Sequence, residues 1–211
     1  MKPPNPALNE ALTLLESIDP TPTHPRQVCF LAGQLFIQCE SLHHLGKEEL
    51  FLLEIACLLH DIGWARSTTG TAHHKQSAAM IREHSWKILD PAQVDLVAQI
   101  ARYHRKSLPK FTHKPFRNLE PSMRSKLLSL AAIIRVADAL DRSHKSLIRS
   151  LECEIHKGSC RLQLHAGQEI SEEILAVENK RDLFELHFST RMETILLTGR
   201  KNSPSSTEVK C

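Results

Sequence analysis

The stretch Leu53-Glu54-Ile55-Ala56-Cys57-Leu58-Leu59-His60-Asp61-Ile62-Gly63 is apolar on nearly every helical face and ends in a histidine beside an aspartate. A segment that is hydrophobic all round belongs at the centre of a helical bundle rather than on its surface. The helix is expected to begin at about Lys47, and Gly63 reads as its stop signal, which places His60 and Asp61 in the last turn. There a neutral imidazole nitrogen and a hard carboxylate oxygen can reach the same divalent ion. An isolated His-Asp pair is common by chance, so the surrounding chain has to decide its meaning.

Upstream, Leu8, Leu12 and Leu15 recur at helical spacing and predict a short amphipathic helix over about 5–17. Asp19-Pro20-Thr21-Pro22-Thr23 then breaks the pattern. Thr23 is a plausible N-cap, so a second helix is expected to start at His24 and to run through Val28, Leu31, Leu35 and Cys39. Downstream, Ser67 to Ala72 reads as a loop, and helices are expected over about 74–84, 91–106 and 121–145. These form an expected helical domain over 1–150, with its core at about 20–150.

After Ser150 the period changes to two on either side of Lys157-Gly158, which predicts a hairpin. Ile170, Ile174 and Val177 share a helical face, and Leu183-Phe184-Glu185-Leu186-His187-Phe188 alternates as a strand would. The fold class is therefore mainly α, a helical bundle with a small C-terminal α+β appendage over 151–190. Residues 191–211 read as a polar tail, disordered toward the end.

Composition narrows the functional classes. The 211 residues are 41% hydrophobic and 24% charged, ordinary for a globular protein, and the net charge is only +3. With 5% aromatic residues there is little for base stacking, so no nucleic-acid partner is expected. The start Met-Lys-Pro-Pro-Asn-Pro-Ala lacks a secretory apolar run, and no stretch approaches the roughly 20 apolar residues of a spanning helix, so a cytoplasmic chain with no membrane partner is expected. Six cysteines, at 29, 39, 57, 153, 160 and 211, include no Cys-Xaa-Xaa-Cys pair and read as buried thiols. Thirteen histidines, several at the edges of apolar segments, suit metal chemistry.

Asp138 carries a separate argument. It lies in the apolar run Leu127 to Leu140, where an unpaired carboxylate costs several kcal/mol. An ion pair with Arg135 or Arg142 at helical spacing, or a bound cation, would neutralise it. Arg105 and Lys106 beside His104, with Arg135, Arg142 and Lys145 around Asp138, offer enough positive charge to hold more than one phosphate.

The segments Thr23-His24-Pro25-Arg26, Leu58-Leu59-His60-Asp61-Ile62-Gly63, His73-His74-Lys75-Gln76 and Arg135-Val136-Ala137-Asp138-Ala139-Leu140-Asp141 resemble, in order and separation, those of the HD-domain metal-dependent phosphohydrolases. Ala101-Arg102-Tyr103-His104-Arg105-Lys106-Ser107 and Ile133-Ile134-Arg135 to His144 bring the likeness closer to the C-terminal helical part of the exopolyphosphatase and guanosine pentaphosphate phosphohydrolase (Ppx/GppA) family. In that family this part follows a large actin-like domain that carries the polyphosphatase site, and nothing here corresponds to it. The resemblance implies that His24, His60, Asp61 and Asp138 bind a first ion and that His73 and His104 hold a second. His74 competes with His73, and His104 has the alternative of binding substrate phosphate. The cofactor is then one or two divalent ions, Mn²⁺, Fe²⁺, Co²⁺, Ni²⁺, Zn²⁺ or Mg²⁺.

Two function classes follow. One is a metal-dependent phosphohydrolase that cleaves a phosphate ester or anhydride of a nucleotide or polyphosphate-like small molecule with metal-activated water, Asp61 and His104 being catalytic. The other is a non-catalytic regulatory domain that binds polyphosphate or guanosine tetra- or pentaphosphate. A homodimer surface on the appendage is compatible with either.

Overall fold

The computed structural model describes residues 6–197. Its elements are α1 (Pro6–Ile18), α2 (Thr23–Gln38), the short α3 (Glu40–His43), α4 (Lys47–Leu59), a 3-10 helix (Ile62–Arg66), α5 (His73–Glu83), α6 (Pro91–Tyr103), the short α7 (Lys114–Arg117), α8 (Pro121–Ala139), β1 (Ile148–His156), β2 (Ser159–Ala166), α9 (Ser171–Lys180), α10 (Asp182–Phe188) and β3 (Arg191–Leu197). The fold is mainly α with a small α+β part, as the periodicities predict. No helix among the described residues is long and apolar enough to cross a membrane.

Two helices form the centre because they carry apolar side chains on all faces. α4 buries Leu52, Leu53, Ile55, Ala56, Cys57, Leu58 and Leu59 and packs against α1, α2, α6 and α8. α8 buries a continuous run from Ser129 to Ala137 and packs against α2, α6, α9 and α10. The outer helices are one-sided. In α1, which packs on α4, the buried stripe is Ala7, Ala11 and Leu15, with Leu8 and Leu12 only partly covered.

Helix ends locate the functional side chains, and several differ from expectation. α2 begins at Thr23 itself, and no side chain caps it. α4 starts where Glu49 accepts a hydrogen bond from Gly46 N at 2.9 Å, and it ends at Leu59, so His60 and Asp61 lie just beyond its last turn. Gly63 is not its stop signal. It sits inside the 3-10 helix, where a Cβ would press into His73 O, Ser77 N and Gln76 Cβ, so its role is close approach to α5. α6 starts at a capping box between Asp90 and Gln93 with Pro91 in the first turn. It stops at Tyr103 and not at 106, and α8 stops at Ala139 and not at 145. His104, Arg105 and Lys106, and likewise Arg142 and Lys145, therefore occupy irregular segments, Lys106 with φ of 60°.

The hairpin forms as predicted, antiparallel, with His156 opposite Ser159 and Gly158 at φ 72° in the turn. The strand expected from Leu183 does not: Asp182–Phe188 is the helix α10. Leu183 and Phe184 are buried and Leu186 faces solvent, a helical distribution that a period-two reading misses when apolar residues are this dense. The third strand is Arg191–Leu197, a stretch expected to be tail, and it runs parallel to β2. The rest of the predicted tail, 198–211, lies outside the described residues. The outer edge of β1 is covered by α2: Gln34 accepts from Leu151 N at 2.9 Å, and Gln38 accepts from Cys153 N at 2.7 Å while donating to Leu151 O at 2.9 Å. These glutamine amides stand in for a neighbouring strand.

Gly63→Ala is expected to destabilise the fold by about 1–3 kcal/mol, because backbone rather than a flexible side chain must move; chemical denaturation measures it. His43 gives a pH dependence. Its ring donates from Nε2 to Phe36 O at 2.8 Å and accepts Leu45 N at Nδ1 at 2.9 Å, an arrangement only the neutral ring can make. Burial accordingly holds its pKa below the ordinary 6.5. Its contribution to stability is present above the unfolded-state pKa and is lost as pH falls through it toward the folded value. The fall in Tm between about pH 7.5 and 5.5 should be smaller in His43→Gln than in the wild type.

Candidate functional site

The ends of α4 and α8 meet at the start of α2, bringing two carboxylates and four imidazoles together. His24 Nε2 lies 3.4 Å from Asp138 Oδ1 and 3.9 Å from Asp61 Oδ2. His60 Nε2 lies 3.6 Å from Asp61 Oδ2 and 3.7 Å from Asp138 Oδ1. The other oxygen of Asp61 faces the opposite way, 3.2 Å from His73 Nε2 and 3.6 Å from His104 Nε2. Asp61 thus stands between two sets of donors.

Each imidazole is oriented from behind. Nδ1 of His60, His73 and His104 donates to Cys57 O, Gly70 O and Ala101 O, each at 2.7 Å, and His24 Nδ1 donates to Asp141 Oδ2 at 2.8 Å. Three of the four bonds run back to a carbonyl three residues earlier, a consequence of placing the histidine at a helix end. Fixing Nδ1 as donor leaves the Nε2 lone pair pointing into the site, as metal-ligating histidines require. His24 Nε2, His60 Nε2 and Asp61 Oδ1 are buried with no hydrogen-bond partner. Buried polar atoms in this condition cost free energy unless something joins them. Neutral nitrogens and charged oxygens converging at these distances fit a divalent cation.

Electrostatics couples the carboxylates to the imidazoles, and the two carboxylates draw a proton toward His24 that a bound cation would displace. Burial works against ionisation of Asp61, yet its carboxyl is held well below the usual range by His60, His73 and His104. Asp138 is likewise held down against burial, by Lys180, His24 and His60. Burial opposes charge on His24, but the Asp138 and Asp141 carboxylates raise it to about 9. His104 goes the other way, to about 3, through burial and the nearby His60. Among the pair at 73 and 74, His73 faces Asp61, whereas His74, lowered to about 4 chiefly by burial, keeps a buried Nδ1 with no partner.

The expected phosphate-binding cations are scattered. Arg105 reaches both nitrogens of His73, at 2.9 and 3.2 Å, which sets its guanidinium over the ring face; Trp64 stacks on the same ring at 4.2 Å between centroids. Arg135 points elsewhere: 3% exposed, it donates to Tyr103 O, Lys106 O and Asp182, tying the segment after α6 to α10. Lys106, Arg142 and Lys145 are exposed. The cation on Asp138 is neither Arg135 nor Arg142 but Lys180, from the end of α9.

Sequence reading missed Asp141, His144, Trp64 and Lys180. Asp141 carried a signal, being one turn beyond Asp138. His144 stacks flat on His24 at 3.8 Å, and with Trp64, Asp61, Ile62 and Asp19 it lines a pocket of about 320 Å³ at the mouth of the site. Nothing local in the sequence marks Trp64 or Lys180.

A search of the curated proteins finds no match. The family described as Ppx/GppA phosphatase, domain III, matches residues 12–204, almost the whole chain. On the strength of that match the chain belongs to the Ppx/GppA phosphatase domain III family.

Proposed function

We propose that the chain is an HD-type metal-dependent phosphohydrolase acting on a phosphate ester or anhydride of a nucleotide or polyphosphate-like small molecule. One observation carries this reading: four imidazoles, each with Nδ1 committed behind it, turn Nε2 toward the carboxylates of Asp61 and Asp138. His24, His60, Asp138 and Asp61 Oδ2 would hold one divalent ion, and His73, His104 and Asp61 Oδ1 a second. Bound there, such an ion supplies Lewis acidity toward a phosphoryl oxygen and lowers the pKa of water.

The chain's own residues do the rest. Asp61, kept ionised by three imidazoles, orients the attacking water as a hydrogen-bond acceptor. Asp141 holds the His24 ring so that Nε2 stays available. Arg105 beside His73 and Lys180 on Asp138 supply positive charge that would attract phosphate oxygens. The pocket of about 320 Å³ has the size of a small-ligand site, and the Trp64 ring at its wall suits a flat group.

The same two cations favour a second reading. Lys180 on Asp138 and Arg105 over His73 already give the ligand side chains positive partners, as a domain that binds guanosine tetraphosphate without cleaving it would tolerate.

Phosphate release by metal-stripped protein, with Mn²⁺ restored, across nucleotides, guanosine tetraphosphate and short polyphosphates separates the readings. Turnover is expected, with Asp61→Ala slower by about 10²–10⁴-fold; an unaltered rate in that variant would reject the assignment. No turnover, with Mn²⁺ and guanosine tetraphosphate both bound by calorimetry, would establish the regulatory reading. Asp141→Asn, which touches no substrate, should weaken Mn²⁺ binding by about 10–100-fold in the same calorimeter.

A further inference from the structure

Away from the histidine site, three of the cysteines expected to be inert converge. Cys39 closes the C-terminus of α2, and Cys153 and Cys160 lie on β1 and β2. Cys153 is opposite Leu162 and Cys160 opposite Ile155, so the two are diagonal neighbours on one face of the hairpin. Gln38, next to Cys39, binds Cys153 N and Leu151 O and so fixes the helix end against that face. The three sulfurs all lie within 4.8 Å of one another. Cys39 and Cys160 are fully buried and Cys153 half-buried, and all three are free thiols.

We propose that Cys39, Cys153 and Cys160 form a second metal site, one that takes a soft divalent d¹⁰ cation of the zinc group through three thiolates. Sulfurs about 2.3 Å from a shared ion stand about 4 Å apart, so each needs to move inward by at most about half an ångström. Thiolates select soft ions over the hard ones that carboxylates prefer. Charge selects further: three thiolates with a monovalent ion would leave two negative charges among buried side chains, and a divalent ion leaves one. Binding releases up to three thiol protons to solvent and forms three metal–sulfur bonds with no change of oxidation state. Half-buried Cys153 marks the side by which the ion enters and on which a fourth ligand would come from water. Occupied, the site clamps the end of α2 to the hairpin.

Cd²⁺ added to the reduced, chelator-treated full chain provides the test. One equivalent is expected to produce a sulfur-to-cadmium charge-transfer band and to protect three thiols from a thiol reagent. The histidine–aspartate site gives no such band. Cys153→Ser, the least buried of the three, should weaken the band-forming affinity at least about tenfold, whereas Cys29→Ser, whose thiol faces Glu54 O, leaves it unchanged. Absence of the band in the wild type, or equal thiol reactivity with and without Cd²⁺, would each overturn the proposal. The wild-type thiol count decides the matter even if a serine variant fails to fold.

Discussion

Two carboxylates at the ends of the two most apolar helices set the terms for the rest of this structure. Asp61 follows α4 and Asp138 belongs to the last turn of α8, and the C-terminal halves of both helices are buried on nearly every face. Left alone in such surroundings, the pair would repel and would each cost several kcal/mol. The fold brings four imidazoles and one lysine to them. α2 begins where it does to deliver His24, α5 begins at His73, and α6 ends one residue before His104. The close approach at Gly63 lets α5 come near enough for its first residue to face Asp61.

The part of the chain after residue 150 takes a share in this arrangement. Lys180 reaches Asp138 from α9, Glu173 accepts Ser143 N beside the site, and Asp182 at the start of α10 holds Arg135. Arg135 in turn binds the backbone at Tyr103 and Lys106, so the segment that presents His104 and Arg105 is braced from α8 and α10 together. The helical bundle and the small α+β part are thus linked through charged side chains as well as through packing.

The legible part of the sequence was the part in which one short segment carries its own constraint. His60-Asp61 after an all-apolar helix, and Asp138 inside another, announce their cost wherever they fold. The hairpin around Gly158 is equally local. The reading failed where identity depended on a distant neighbour. Gly63 looked like a helix stop, yet the backbone of His73 and Ser77 is what excludes a side chain there. Leu183 to Phe188 alternates as a strand does, yet packing on α8 makes it a helix. Arg135 has the right spacing to serve Asp138, and Lys180, 42 residues from Asp138, takes that place. The cysteines at 39, 153 and 160 form no motif in the chain and become neighbours only when the hairpin docks on α2.

The bond between His24 and Asp141 spans 117 residues. During synthesis the first imidazole therefore leaves the ribosome long before the carboxylate that orients it. Helices α1 to α6 can form and pack while the site they frame is still without its second carboxylate, its orienting aspartate and its lysine. Contacts of such separation form late, because a long loop must close first. A chain stalled before Asp141 lacks the partner that orients His24, so the constellation of imidazoles and carboxylates is assembled only once α8 and the turn that follows it are complete.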